Sequence, residues 1–248
     1  MPTVRVAPYR QIASEIAARL ATAREGCDAL SPWTEEVIVP SRGMAEAIAK
    51  ELLVRLPNGI AGLRLQSLEE LARNILATRG ETPHVATDAE RRLAMRVAVR
   101  KFDEPLMSSR GIAAMLERSY RDVRDSGAVV RAKRGLRNVR RTELVLRAWG
   151  EYERMIASMA AVDPAELLSR AADDVSSVRP QLVAGFYDMT GVQRALLEAL
   201  LRADLVGGVW VPTDMPFAQR FLSDLDPCGA AGFSPPSGSG GLKPAAPL

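Results

Sequence analysis

The chain contains few of the residues that most often carry catalysis, metal binding or disulfides. Its 248 residues include one histidine, His84, and two cysteines, Cys27 and Cys228. Because the cysteines are far apart and form no CxxC spacing, neither a disulfide scaffold nor a structural zinc site is expected. His84 lies beside Pro83 in a predicted loop, and a triad of nucleophile, histidine and acid around it is not convincing.

Long apolar runs are absent as well. No stretch approaches the roughly 18 to 20 apolar residues needed to span a bilayer. Residues 1 to 10 lack the apolar core of a secretory signal. We therefore expect a soluble, cytoplasmic protein with no membrane partner. Aromatic residues are 5% of the chain, while 47% is hydrophobic and 25% charged, which favours a helix-rich α/β fold.

The first 67 residues alternate between short strand patterns and amphipathic helix patterns. Apolar residues at four-residue spacing, such as Ile12 and Ile16, mark the helices. The series strand, helix, strand, helix, strand is typical of a parallel sheet with helical crossovers. The pattern stops at residue 68 and resumes after 174. Strands are predicted at 3 to 7, 35 to 40, 63 to 66, 181 to 186 and 205 to 212.

Residues 68 to 174 carry helical signals alone. Capping boxes begin the predicted helices at Ser67 and Thr87, and Asp163 followed by Pro164 predicts the start of another. Two further helices are predicted at about 108 to 125 and 139 to 160. The predicted organisation is a parallel α/β core at 1 to 67 and 175 to 225, an all-helical insertion at 68 to 174, and a disordered tail, rich in Gly, Pro, Ser and Ala, at 226 to 248.

The groups that bind triphosphate in such a core are missing from the sequence. A Walker A loop needs glycines and a lysine after the first strand, but the first glycine is Gly26 and the first lysine is Lys50. The strand at 181 to 186 ends in Ala184 and Gly185, where a nucleotide hydrolase carries acids that hold Mg²⁺ and orient water. The capping box Thr190 to Gln193 gives the following loop a structural role.

Three strings, in order, resemble the N-terminal part of the inactivated helicase subunits of bacterial recombination helicase-nucleases. IVPSRGMAEAIAKELL (38 to 53) resembles their motif Ia region, and LRLQSLEELARNIL (63 to 76) the segment that follows it. GFYDMTGVQRALLEALL (185 to 201) resembles D-E-F-Q-D-T-N-x-x-Q-x-x-L-L of active UvrD-like superfamily 1 helicases, with the acidic pair replaced. The resemblance, to AddB-type and RecC-type proteins of the PD-(D/E)xK nuclease family, covers most of residues 1 to 215 and implies a RecA-like fold for the α/β core.

The chain departs from this family in two respects. AddB-type proteins commonly retain a Walker A loop, which this chain lacks, so it resembles the fully inactivated branch more closely. Many relatives carry a nuclease motif with an acid two residues before a lysine, but no lysine of this chain has one at that spacing. We expect no cofactor and no catalytic residue, and the chain is interpreted as part of a longer protein.

Positive charge is concentrated between residues 118 and 147, where ten basic residues stand against three acidic ones. Such a cluster could neutralise several phosphates, although phosphate contacts do not read sequence. The alternative is a solvated helical face. The resemblance implies DNA contact by this insertion, with these residues as candidates: Arg131, Lys133, Arg134, Arg137, Arg140 and Arg141.

Four residues at the ends of the second and third strands complete the candidate DNA-binding set. Ser41 and Arg42 stand beside a helix N-terminus, whose free amides favour an anion. By resemblance they would touch a DNA strand, as would Gln66 and Ser67. Simple N-capping is the alternative for both serines, and a structural role is the alternative for Gln66.

Together these features predict a non-hydrolytic scaffold domain for DNA recombination and repair. Its expected partners are double-stranded or forked DNA and an active helicase-nuclease subunit. Two alternatives stay open. One is a protein-protein scaffold without DNA contact, and the other is a helicase or nuclease subunit whose catalytic parts lie outside this chain.

Overall fold

The computed structural model describes residues 2 to 28, 31 to 56, 59 to 127, 139 to 218, and 220 to 221. The strands in these ranges are β1 (Thr3–Ala7), β2 (Glu36–Ile38), β3 (Leu65–Gln66), β4 (His84–Val85), β5 (Ala161–Val162), β6 (Gln181–Ala184) and β7 (Val206–Pro212). The helices are α1 (Tyr9–Arg24), α2 (Arg42–Arg55), α3 (Leu68–Thr78), α4 (Asp88–Arg100), α5 (Ile112–Asp125), α6 (Val139–Ser158), α7 (Pro164–Ala172) and α8 (Gly191–Arg202).

Five strands form one parallel sheet in the order β1-β7-β6-β2-β3. All five predicted strands belong to it, which confirms the predicted parallel α/β core. The register pairs Thr3 with Gly208, Leu182 with Val37, and Val37 with Leu65. This architecture, a parallel sheet with helical connections, is consistent with a RecA-like α/β fold. It brings the carboxyl ends of all five strands to one edge.

Helices cover both faces of the sheet, so its central strands are apolar on both sides. On β2 and β6 the alternation of side chains sends Val37 and Leu182 to one face and Ile38 and Val183 to the other. The first face packs against α1 and α2. The second packs against α3, α7 and α8. The sheet is therefore the middle layer of three.

Helices α4, α5 and α6 form a separate hydrophobic cluster. Its centre contains Met95, Leu116 and Tyr152, each almost fully buried. Tyr120 contacts both Trp149 and Tyr152 edge to face, with ring centroids 5.7 Å and 4.7 Å apart. These aromatic contacts join α5 to α6 and give the insertion a core of its own.

The insertion contains one element that the sequence did not predict. Strands β4 and β5 pair in parallel, with His84 opposite Ala161 and Val85 opposite Val162. The prediction of an all-helical block is corrected in this respect, since two residues per strand give no periodic signal. Moreover, α3 and α7, which fall within residues 68 to 174, pack on the sheet rather than in the insertion cluster.

The predicted helix starts are confirmed by their hydrogen bonds. Ser67, Thr87 and Thr190 each cap a helix through a complete capping box. Asp163 caps α7, accepting from Ala165 N, with proline at the first turn. The helix predicted from about 108 begins at Ile112 instead, because residues 104 to 111 form turns that end in Gly111 at φ 85°. The predicted tail from 226 lies outside the described residues.

Candidate functional site

Ligands of open parallel α/β sheets bind beyond the carboxyl ends of the strands. In this chain that region, the carboxyl edge, consists of the loops at residues 7 to 9, 39 to 42, 66 to 68, 185 to 190 and 213 to 217. It contains the Ser41, Arg42 and Ser67 candidates and the loops after β1 and β6, where nucleotide-binding parallel α/β proteins hold phosphate and metal.

The loop after β1 presents the amino terminus of α1, whose position there matches that of a phosphate-binding helix. Pro8 is its N-cap residue and makes no side-chain cap bond. Instead the Tyr9 backbone N–H donates to Asp214 Oδ1 at 2.6 Å, across 205 residues of sequence. Thr213 N also donates to the carbonyl of Ala7 at 2.9 Å, which holds the two loops together. A carboxylate from the loop after β7 thus occupies the positive end of α1.

The tip of β6 is closed by packing. Ala184 is fully buried, and Gly185 has φ +81°, a conformation that side chains rarely adopt. A Cβ on Gly185 would lie 2.9 Å from Met44 Cε and 3.7 Å from Pro40 Cδ. Its N–H donates to the carbonyl of Trp210 at 2.9 Å. The space that an acidic pair would need is therefore filled by the start of α2.

Both candidate serines are N-caps. Ser41 Oγ accepts from Met44 N at 3.3 Å, and Ser67 Oγ accepts from Glu70 N at 3.2 Å. Ser67 N in turn donates to Glu70 Oε2 at 2.7 Å. Each hydroxyl keeps a hydrogen to donate, so capping and contact with an acceptor are compatible. The structure supports the capping role directly.

Arg42 is the most exposed basic residue described at this edge, with 92% of its side chain accessible. Its Nε donates to Glu46 Oε1 at 2.8 Å, one helical turn further along α2. An exposed pair of this kind contributes little stability, so the guanidinium can be recruited by another anion at small cost.

Gln66 does not share the exposure of its neighbours. It is 5% exposed and donates through Nε2 to Glu36 Oε2 at 2.9 Å, while its Oε1 accepts from Asn74 at 2.8 Å. Gln181 donates to the same Glu36 oxygen at 3.2 Å. Gln66 therefore makes hydrogen bonds with the buried Glu36 carboxylate of β2 and with Asn74 of α3, and its burial leaves it little surface for contact with a partner.

The basic segment is described only at its ends. Four of its candidates, Arg131, Lys133, Arg134 and Arg137, lie outside the described residues. Arg140 and Arg141 are exposed at the start of α6. Arg140, whose side chain is 80% exposed, pairs with Glu104 at 3.1 Å. These two arginines belong to the insertion cluster, whereas Ser41, Arg42 and Ser67 belong to the core.

Counting charge along the chain overestimated the free charge of this segment. Glu117 pairs with Arg121 at 2.6 Å, and Glu153 pairs with Arg124 at 2.8 Å. Glu117, Glu153 and Glu104 all fall outside residues 118 to 147 and so were not counted. The first pair has i,i+4 spacing and could have been found in the sequence, but the other two join segments that only the fold brings together.

A second basic surface was missed. Arg92, Arg96 and Arg100 recur every four residues along α4 and are all exposed; we name them the arginine row. Arg92 lies 3.9 Å from Asp88, and neither Arg96 nor Arg100 has an ion-pair partner among the described residues. The four-residue repeat of arginine in RRLAMRVAVR was the available signal.

A polar cavity of about 400 Å³ separates the insertion from the core. Its lining includes Arg91, Arg121, Asp125 and Asp163. Burial raises the pKa of the Asp125 carboxyl, and the neighbouring Asp163 carboxylate raises it further. Asp163 is held by Tyr152, whose hydroxyl donates to Oδ2 at 3.1 Å. The junction thus contains two carboxylates whose charges repel.

The fold and this edge define a class: an α/β protein with a parallel sheet, consistent with a RecA-like fold, in which Asp214 occupies the end of α1 and Met44 packs beside the tip of β6. No protein-family model matches the chain, and comparison with curated proteins finds no significant match. In the described ranges, no three or more histidine, cysteine, aspartate or glutamate side chains are grouped to hold a metal ion. No helix in those ranges combines the length and apolar character required to cross a bilayer.

Proposed function

We propose that this chain is a non-hydrolytic, DNA-binding scaffold domain of a recombinational-repair helicase-nuclease complex. The observation that carries the proposal is the hydrogen bond from Tyr9 N to Asp214 Oδ1 at 2.6 Å. A phosphate held after β1 would need that N–H and would be repelled by the carboxylate. The chain thus uses the helix end that normally attracts phosphate to join two of its own loops.

The tip of β6 supports the same proposal. Hydrolysis of a nucleotide requires acids there to hold Mg²⁺ and to orient the attacking water. Ala184 and Gly185 provide no carboxylate, and Met44 fills the adjacent space. Both parts of a nucleotide site, the phosphate-binding loop after β1 and the acids after β6, are missing while the sheet is intact. This combination is expected if the domain is retained only for its shape.

DNA is the proposed partner because of the exposed basic residues and the sequence resemblance. Arg42 extends from the carboxyl edge, and Arg140 and Arg141 extend from the insertion. In the proposed mechanism the insertion holds the duplex backbone, while Ser41, Arg42 and Ser67 guide an unwound strand. ATP hydrolysis belongs to the partner subunit, and the complex works in the cytoplasm.

The proposal is tested by measuring binding to a fluorescent forked duplex over a series of salt concentrations. Binding that weakens linearly on a log-log plot of affinity against salt is expected, since phosphate contacts release counterions. Absence of salt-sensitive binding would overturn the DNA role. In parallel, Mg-ATP should leave the melting temperature unchanged, and a clear rise would overturn the non-hydrolytic role.

A protein-protein scaffold is the second candidate, because Arg121, Arg124 and Arg140 already pair with acids of the chain. The charge reversals Arg140→Glu and Arg141→Glu separate the two functions. They should reduce DNA binding if the insertion holds DNA, and should affect only co-purification of a partner otherwise. Arg154→Glu, at an exposed position on the same helix, is the matched control.

A further inference from the structure

The outer face of α4 carries a straight basic surface that the function proposed above does not use. The arginine row occupies positions i, i+4 and i+8 of a 13-residue helix. Residues at this spacing are neighbours on one helix face. The opposite face is buried, with Ala94, Met95 and Ala98 packed into the insertion cluster. The row is therefore fixed to a rigid support and points to solvent.

Helix α4 is anchored at its start. Thr87 and Glu90 form a capping box, in which Thr87 N donates to Glu90 Oε2 at 2.7 Å and Glu90 N donates to Thr87 Oγ1 at 3.3 Å. The acids of α4, Asp88 and Glu90, both lie in this first turn. The C-terminal half of the helix contains only basic charge, and Arg96 and Arg100 have no ion-pair partner within the described ranges.

The row continues toward α6. Lys101 follows Arg100 and donates to Glu151 Oε2 at 2.9 Å. Arg147 stacks over Phe102, with its guanidinium 5.1 Å from the ring centroid. These contacts place the basic end of α4 beside the exposed positive charge on the amino-terminal half of α6.

We propose that the arginine row binds the phosphodiester backbone of a nucleic acid, aligned along α4. Eight residues of helix separate Arg92 from Arg100, a length of about 12 Å. Successive phosphates of a duplex strand are separated by roughly 3.4 Å along the axis and by more along the inclined backbone, so the row is long enough to face more than one phosphate. A regular line of exposed arginines, of which Arg96 and Arg100 have no ion-pair partner within the described ranges, complements a regular line of charge better than it complements a compact acidic patch. This inference rests on the proposed DNA-binding function and assigns it a surface.

The test is a charge-removing double variant, Arg96→Gln with Arg100→Gln. Glutamine and arginine have similar helix propensity, so α4 should persist. The slope of log affinity against log salt is negative. Losing two phosphate contacts should make it shallower by about 1.8 for duplex DNA or by about 1.4 for a single strand. The fall in affinity should be equal for two duplexes of unrelated sequence, because phosphate contacts do not read the base sequence.

The matched control is Arg73→Gln with Arg202→Gln, which removes the same charge from exposed positions on the core helices α3 and α8. It should leave the slope almost unchanged. Arg96→Lys with Arg100→Lys should restore the wild-type slope, because point charges suffice for backbone contact. If the control and the glutamine variant change the slope equally, the arginine row is not the contact.

Two further outcomes separate this inference from the function on which it rests. If the wild-type chain shows no salt-sensitive DNA binding, the proposed function fails and the row fails with it. If the wild type binds and the glutamine variant keeps the wild-type slope, only the row fails. Poly-glutamate tests for an acidic protein partner. If the wild-type chain binds poly-glutamate as tightly as DNA, and the glutamine variant loses both affinities equally, the arginine row binds an acidic protein instead.

Discussion

Gly191 and Ser126 bring the backbones of the core and the insertion into direct contact. A Cβ built on Gly191 would lie 2.0 Å from the carbonyl oxygen of Ser126 and 2.4 Å from its carbonyl carbon. Ser126 ends α5, and Gly191 begins α8 immediately after the carboxyl edge. Gly191, in the loop region beyond the tip of β6, therefore sets how closely the insertion approaches the core.

Gly191→Ala should destabilise the chain because backbone atoms, unlike the end of a flexible side chain, cannot move aside locally. Overpacking of this kind costs about 1 to 3 kcal/mol. The measurement is the free energy of unfolding in urea. The control is Gly150→Ala, within α6, where nothing lies within 4 Å of the added methyl group. That change should stabilise by about 0.5 to 1 kcal/mol, and a neutral Gly191→Ala would contradict the close approach.

Introducing an acid at the tip of β6 should not create nucleotide binding. In Gly185→Asp a side chain must adopt φ +81° and enter the space beside Met44 and Pro40. Left-handed backbone costs about 1 to 2 kcal/mol, and crowding adds to it. Gly80→Asp, at φ +77° with open surroundings, isolates the backbone cost. We expect the larger fall in melting temperature at Gly185 and no stabilisation of that variant by Mg-ATP.

Removing Asp214 should weaken the start of α1. Loss of an N-terminal cap costs about 1 kcal/mol, so Asp214→Ala should lower the melting temperature, while Asp214→Asn keeps an acceptor and should lower it less. Asp188→Ala, on the neighbouring exposed loop, is the control. Sulfate should then stabilise Asp214→Ala more than wild type, because the freed helix end can bind an anion. Equal responses would mean that Asp214 does not block the site.

Ionised Glu90 should stabilise the folded chain, and this stabilisation should be lost in acid. Hydrogen bonds from the Thr87 N–H, His84 and the Thr87 hydroxyl lower the pKa of the Glu90 carboxyl from its ordinary 4.5 to about 2. Because the folded pKa is depressed, this stabilisation is present above pH 4.5 and is lost as pH falls through about 2. Glu90→Gln keeps the capping box and should flatten the pH dependence of unfolding in that window. Glu25→Gln is the control.

Asp125 should affect the pH dependence of stability in the opposite direction to Glu90. Burial and the Asp163 carboxylate raise its pKa above the ordinary 3.8, so its protonated form favours folding. That contribution is present below pH 3.8 and is lost as pH rises through the raised pKa. Asp125→Asn should therefore raise the melting temperature at neutral pH, with the gain vanishing in acid. Asp122→Asn, exposed on the same helix, should change little at either pH.

The sequence predicted the local structure of this chain well where that structure depends on interactions within a single helix or strand. Helix starts at Ser67, Thr87, Asp163 and Thr190 were predicted because an N-cap and the residues that follow it interact within one turn. The absence of Walker A glycines before Gly26 is also a property of the chain alone. The candidate serines were placed at the correct edge because parallel strands share it.

The arginine row and the Glu117–Arg121 pair were missed although their signals are local, but the other missed features depend on residues that are distant in sequence. Gln66, at the end of β3, was a candidate for DNA contact by resemblance, and its burial beside Glu36 and Asn74 could not be predicted from its neighbours in the chain. Strands β4 and β5 exist only because the insertion brings residues about 80 positions apart into register. No pattern in either dipeptide could reveal the pairing.

What the sequence determined by itself was the strands of the main sheet, the helices and the absence of triphosphate-binding groups, since periodicity, capping and composition act over a few residues. Tertiary structure alone decided that β7 lies between β1 and β6, that Asp214 caps a helix 205 residues away, and that Glu153 neutralises Arg124. These depend on strand pairing and helix packing, in which each partner's position is set by the whole sheet and not by its neighbours in the chain.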